Sequence, residues 1–470
     1  MCAKYEYVGT NQGTGRKMDQ NPIVLIHGYS STGKAFANWK AILNSQGFTN
    51  IHILTWQSLV NEINIPDIAE GFDRALRVNA KIAPGEPFDC IVHSTGMLVV
   101  REWLTKNPDR IHQLKRLIGL APATFGSPLA RKGRGFLGSI FKGKKDLGPD
   151  FLEAGDLVLD ALELASPCTW NISHVDLFGE STFYGKNSKT PYVFVFCGDK
   201  TGFISNQLAG PGSDGVVRVA GASFNTRKIA LNFSRRGGLK RSQRVKICDW
   251  THVDSPVVPV KDADHGSILD KPDAALIGLV TSALRVESWD AFEAWHKAAA
   301  KAWWKSEDGK PQFQQLVVRA IDERGDGIRD YAIKLLEERD GRFRALDEFD
   351  RHVAVYSHDP SFRCFHFDLS KLRPEKLSNL WVKVILSSGT HYAAYTGYDA
   401  ADGPANWSPT DRGLTEVNLD VTGLLDTKVG GSPFSLFYPR TTTFLEMIFD
   451  REPMPLDPKS PADIAVFETL

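Results

Sequence analysis

The chain has 470 residues, more than one ordinary core accommodates, so two domains are expected, the larger of roughly 250 to 300 residues. Lysine plus arginine balance aspartate plus glutamate at 56 each, which removes any global electrostatic case for nucleic acid or an anionic membrane as partner. The N-terminal stretch MCAKYEYVGTNQGTGRK has no apolar core behind its charges, and no run of 18 apolar residues occurs, so neither an export signal nor a membrane span is expected. The six cysteines (Cys2, Cys90, Cys168, Cys197, Cys248, Cys364) are widely spaced and form no CxxC pair. That usage predicts reduced structural thiols and cytoplasmic synthesis, with export by a route that needs no N-terminal signal left open.

From residue 22 to about 285, short apolar runs alternate with helical patterns, as in a parallel sheet wrapped by helices. The pattern predicts strands over 23–27, 51–56, 88–92, 117–122 and 192–196, and helices over 33–43, 65–82, 97–104 and 271–284. About 70 residues separate the last two strands, far more than a crossover needs, and mark an insertion over about 127–186. A linker helix over 288–310 carries Trp289, Phe292, Trp295 and Trp303 on one stripe, read as packing between domains. Beyond 310 the rhythm changes. Eight short β segments (313–321, 331–336, 352–357, 364–369, 380–386, 392–398, 415–421 and 434–437) are separated by Gly, Pro, Asp and Asn turns. They predict an antiparallel all-β sandwich over 311–470, behind an α/β unit over 1–287.

Two short stretches carry the chemistry. In PIVLIHGYSSTGKAF, residues 22–36, Gly28 to Lys34 fits the nucleotide-loop spacing G-x-x-x-x-G-K. Such a loop needs Ser or Thr after its lysine to hold Mg²⁺, and that position is Ala35, so Lys34 reads as a solvated first-turn lysine. The other reading makes the same stretch a strand ending in His-Gly that shapes half of an oxyanion hole. FDCIVHSTG, residues 88–96, supports it by placing Ser94 at the sharp junction of an apolar strand and a helix. Such an elbow exposes the hydroxyl at the carboxyl edge of the sheet and sets the next backbone N–H at a helix N-terminus.

Here the sequence resembles the α/β-hydrolase family, and within it the lipases and esterases, over roughly residues 20 to 285. The likeness rests on His27-Gly28, on His93-Ser94-Thr95-Gly96, and on Gly119-Leu120-Ala121-Pro122 leading to Gly126-Ser127-Pro128. It departs from the family's G-x-S-x-G at Val92, where the first glycine belongs; a β-branched residue there asks for an altered turn or a small neighbour. The resemblance implies Ser94 as nucleophile, then an acid, then a histidine in chain order. Asp214, in GSDGVVRVAGAS, is preferred as the acid over Asp199, which follows the strand YVFVFCGD. His265, in DADHGSIL, is preferred as the base over His252, in DWTHVDSP. The implied oxyanion donors are the backbone N–H groups of Tyr29 and Thr95. His27 is expected to tie the oxyanion loop in place, and His93 to serve turn packing or access to the cleft. The chemistry implied needs no cofactor and no metal.

The insertion opens with SPLARKGRGFLGSIFKGKK, six basic residues interleaved with Phe136, Leu137, Ile140 and Phe141. It reads as an amphipathic lid that contacts a membrane or micelle surface, or else as a helical cap over a soluble ester. Phe136 and Phe141, with His27 and His93, are the candidate substrate contacts. A second basic run, Arg227 to Lys246, holds eight Lys or Arg and no acid, and is read as a solvated face before an anionic-headgroup contact. Asp322, Asp326 and Asp330 around Gly325 and Gly327 read as a hairpin turn, since the twelve-residue calcium loop with its terminal Glu is lacking. The leading function is a serine hydrolase of lipid-like acyl esters; an acyltransferase on the same scaffold and a non-catalytic binding protein are the competing readings.

Overall fold

In a computed structural model the described residues are 20–29, 31–56, 61–132, 155–181, 183–185, 189–200, 209–248, 257–304, 312–390, 392–398, 414–429 and 432–453. Two β systems organise them. The first is a six-stranded, wholly parallel sheet of β1 (Ile23–Ile26), β2 (Ile51–Leu54), β3 (Phe88–His93), β4 (Leu114–Leu120), β5 (Tyr192–Gly198) and β8 (Val257–Val260), in the order β2-β1-β3-β4-β5-β8. Its inner strands are apolar almost throughout because helices cover both faces. One face packs on α1 (Ala37–Ser45) and the helices Ala274–Ala283 and Trp289–Trp304, through Trp39, Phe194, Phe292 and Trp295. The other packs on α2 (Ile65–Val78) and α3 (Gly96–Lys106), through Ile68, Phe72, Leu98 and Trp103.

α2 starts sharply because Asn64 accepts from the Asp67 N–H while the Asp67 carboxylate takes the Asn64 N–H, with a proline in the first turn. Its apolar residues fall at Ile65, Ile68, Ala69, Phe72 and Leu76, one face of a 3.6-residue period. The strand order reverses between β1 and β3: from β1 the chain passes to β2 on one side, and β3 lies on the other. Loops leaving those two strands therefore diverge and open a crevice at the carboxyl edge of the sheet.

The second system is a β-sandwich. Its four-stranded sheet runs β11 (Arg342–Ala345), β10 (Asp330–Arg339), β14 (Leu380–Ser387) and β16 (Leu414–Asp420), all antiparallel. Opposite lies a seven-stranded sheet ordered β12 (Val353–Val355), β13 (Phe362–Asp368), β9 (Phe313–Asp322), β19 (Thr442–Pro453), β6 (Thr226–Asn232) and β7 (Val245–Ile247), with β15 (Ala393–Thr396) also on β19. Alternate residues of the facing strands, such as Leu316, Val318, Ile333, Val384, Phe365 and Met447, fill the space between.

Two features correct the sequence reading. The sandwich is not wholly antiparallel, since β19 runs parallel to both β9 and β6. Nor is the second system confined to residues beyond 310: β6 and β7 come from the stretch assigned to the α/β unit. The seven-stranded sheet is buried on both faces at its centre, which is why β9 reads as a nearly continuous buried run rather than an alternation. Its outer face, with Val317, Cys364 and Phe444, joins the core of the α/β unit. Phe444 meets Phe125, Trp170 and Phe178 there at centroid distances of 5.2 to 5.4 Å.

Within the insertion, the helices Asp156–Leu162 and Pro167–Asp176 are held between the two systems. Glu163 accepts from the Ser357 N–H at 2.9 Å and from its hydroxyl at 2.6 Å, and His358 contacts Asp160. On the other side Arg101 of α3 makes a two-pronged, fully buried ion pair with Asp176 at 2.8 and 2.9 Å. Tyr184 adds its hydroxyl to the same carboxylate at 2.7 Å, and Arg101 also donates to the Thr124 carbonyl.

Candidate active site

Ser94 sits where β3 turns into α3, with φ of +53°, the left-handed backbone that the strand-to-helix elbow imposes. Its carbonyl accepts from the Met97 and Ala123 N–H groups, so the strained residue is braced from two sides. Gly28, on the loop after β1, lies directly against it: a Cβ at Gly28 would come within 2.6 Å of the Ser94 Cβ, so only glycine admits this approach. The departure at Val92 finds its small neighbour. Val92 pairs in register with Gly119 of β4, and a side chain at Gly119 would meet Met97 and Pro122 at 2.8 Å.

The loop after β1 is fixed through His27. Its Nε2 accepts from the Trp56 N–H at 3.2 Å, which leaves the proton on Nδ1, and Nδ1 donates to the Gly28 carbonyl at 2.8 Å. Trp56 also donates its indole N–H to the His27 carbonyl at 3.1 Å, and the two rings stack at 5.4 Å. Burial lowers the His27 pKa, in keeping with a neutral ring that accepts at one nitrogen and donates at the other. The Tyr29 N–H points at Thr95 Oγ across the crevice at 3.3 Å, and Thr95 caps α3. Among the described residues no group accepts from the Thr95 N–H.

At the far end of the same sheet edge the loops after β5 and β8 meet. His265 Nδ1 lies 2.7 Å from Asp214 Oδ2, with both side chains buried. The His265 N–H also donates to the Asp214 carbonyl at 3.1 Å. Asp214 Oδ1 accepts from the Val216 and Val217 N–H groups at 2.9 and 2.7 Å, so the carboxylate is aimed by its own turn. Gly198 lets the two loops converge: a Cβ there would stand 2.1 Å from the Ala263 carbonyl oxygen. The two ends of the edge are joined by His93. Its Nε2 donates to the His265 carbonyl at 3.0 Å and the two rings lie 4.6 Å apart. Burial, and secondarily His265, hold the His93 pKa well below the usual histidine range, so His93 is a neutral strut beside Ser94.

Asp214 rather than Asp199 is therefore the carboxylate on the histidine. Asp199 instead accepts from the Asp262 N–H at 2.8 Å, holding the turn before the histidine loop. His252 and the insertion residues Phe136 and Phe141 lie outside the described residues. Lys34 is exposed on a 3₁₀ turn, Gly33–Phe36, with its side chain away from the core. Asp322 is the turn residue between β9 and β10, accepting from the Arg324 and Asp326 N–H groups. Among the described residues no group of three or more His, Cys, Asp or Glu is placed to hold a metal ion.

The basic run is largely taken up by the sandwich. Arg236 pairs with Glu323 and Glu452, Arg241 with Asp420 and Lys228 with Glu446, while Arg227 and Arg244 lie over Tyr438 and Tyr398 at 3.6 and 3.7 Å. Sequence reasoning passed over Trp56, whose only signal was an aromatic residue just past the carboxyl end of β2.

No protein-family model matches the chain, and no curated protein matches it by sequence. Among solved structures it is similar to phospholipase PlaB from Legionella pneumophila, at 22% identity over 94% of this chain and 98% of that one, with a TM-score of 0.72. The structure of the same phospholipase in complex with thio-NAD aligns at 21% identity over the same shares, with a TM-score of 0.73. Strand order, elbow and likeness agree: the chain has the α/β-hydrolase fold.

Proposed function

We propose that the protein is a serine hydrolase of carboxylic esters, acting on lipid-like acyl chains. The observation that carries the reading is the buried 2.7 Å contact of His265 with Asp214, at the same sheet edge as the strained Ser94 and tied to it through His93. In this reading Asp214 fixes the imidazole so that Nδ1 keeps its proton and Nε2 is the base. Nε2 takes the Ser94 hydroxyl proton as Oγ attacks the ester carbonyl, and returns it to the departing alcohol as the C–O bond breaks. Water, deprotonated by the same nitrogen, then adds to the acyl-enzyme and releases the acid. The Thr95 N–H and the Tyr29 N–H, the latter leaving its long contact with Thr95 Oγ, hold the negative oxygen, each contributing roughly 10² to 10³ in rate.

A phospholipase of the same overall fold supports the lipid assignment. A fluorophosphonate probe tests the reading. We expect covalent labelling of the parent, loss of labelling in Ser94→Ala, and hydrolysis of p-nitrophenyl esters that falls by at least about 10³ in the same variant. Labelling that persists without Ser94 would falsify the assignment.

A further inference from the structure

The apolar side of α2 does not close fully on the sheet. Between α2, the ends of β1 and β2, and α3 lies a groove of about 310 Å³, walled by Ile26, Trp56, Ile68, Phe72 and Val99, with Gly71 on its rim. The floor is buried and apolar, whereas Gly71 and Asp67 stand at the solvent side. The Asp67 carboxylate is already occupied in capping α2.

Gly71 is the informative residue. It lies mid-helix, where glycine weakens a helix relative to alanine. Its backbone has no positive φ, and a Cβ built on it meets no atom within 4 Å. Neither conformation nor crowding calls for glycine, and its effect is to keep the rim of the groove low. The walls of the groove also belong to the elements that carry the candidate site. Ile26 directly precedes the His27-Gly28 turn that presses on Ser94, Trp56 is bonded twice to His27, and Val99 sits on the helix that Ser94 begins.

We propose that this groove receives the acyl chain of the ester, an assignment that rests on the serine-esterase reading. Its volume suits roughly ten methylene-sized groups, taking each as comparable to the ~30 Å³ share of a water molecule in the liquid. Each methylene buried tightens binding about fourfold, so affinity rises with chain length until the groove is full.

Decanoate binding to the Ser94→Ala protein, measured by isothermal titration calorimetry, tests the groove without turnover. We expect saturable binding, and a Kd raised at least about tenfold when Gly71→Leu is added, because the new side chain stands in the groove. In the turnover-competent chain, Gly71→Leu lowers the ratio of kcat/KM for p-nitrophenyl decanoate over butyrate by at least about tenfold. Leucine favours the helix, and thermal melting reports that the variant is folded. Equal decanoate affinity with and without Gly71→Leu overturns the groove, while butyrate hydrolysis leaves the esterase reading standing. Decanoate binding that Gly71→Leu abolishes, in a chain that hydrolyses no ester, upholds the groove as an apolar-chain site and removes the esterase reading. Loss of every chain length alike in Gly71→Leu shows an effect that does not depend on the acyl chain and also overturns the proposal.

Discussion

Two carboxylates stand near the carboxyl end of β5, and their roles are separated by a few hydrogen bonds. Asp214 faces His265, whereas Asp199 holds the Asp262 N–H. Asp214→Asn offers the imidazole an amide in place of a carboxylate and is expected to cut kcat by about 10⁴, with KM little changed. Asp199→Asn retains an acceptor for the Asp262 N–H and is expected to keep kcat within about threefold. Steady-state kinetics on one ester compare the two; equal losses would sink the division of labour. The strained elbow at Ser94 and the Asp214–His265 contact were legible because each is local: a polar residue at a strand end or in a short loop, followed by glycine or a helix. Trp56 was not, because its role depends on where His27 points, and nothing in the order of residues states that. The small neighbour of Val92 was likewise hidden. It required knowing that Gly119 is the partner across the strand.

Among elements, α3 matters most, since it begins two residues after Ser94 and packs against the insertion. Its anchor is Arg101, which reaches Asp176, Ser173 and the Thr124 carbonyl from full burial. Removing one partner leaves the other charged and dry, so Asp176→Ala is expected to cost about 3 to 5 kcal/mol in urea unfolding. A loss under about 1 kcal/mol would show that α3 is held by packing alone. The sequence periodicity disclosed α2 by its one apolar stripe, α3 by its apolar run, and five of the six parallel strands by their short apolar runs. It did not disclose β6, β7, β8 or β19. In β6 the run TRKIALN carries charges that look solvated, yet Arg227 lies on Tyr438 and Lys228 is paired with Glu446. Charge alone cannot reveal a partner that lies more than 200 residues away in the chain.

For the whole molecule, the decisive fact is that the two β systems are not independent. β6 departs from the α/β unit to pair with β19, and Phe444 of β19 plugs an aromatic cluster with Trp170 and Phe125. A chain cut to residues 1–287, the division that sequence rhythm suggests, would leave β6 without its neighbour and the outer aromatic cluster open. We expect that fragment to be insoluble or to unfold without a cooperative transition, and to bind no fluorophosphonate. A soluble, cooperatively melting and labelled fragment would contradict this account.

The position of β19 also governs when the seven-stranded sheet can close. Translation delivers Thr226 and Gln315 well before Thr442, the residue that must slide in between their strands. Until the ribosome has released that stretch, the central slot of the seven-stranded layer stays vacant. Such non-local closure is slow compared with helix formation. The layer thereby stays open through most of synthesis, closing only as its inserted strand arrives.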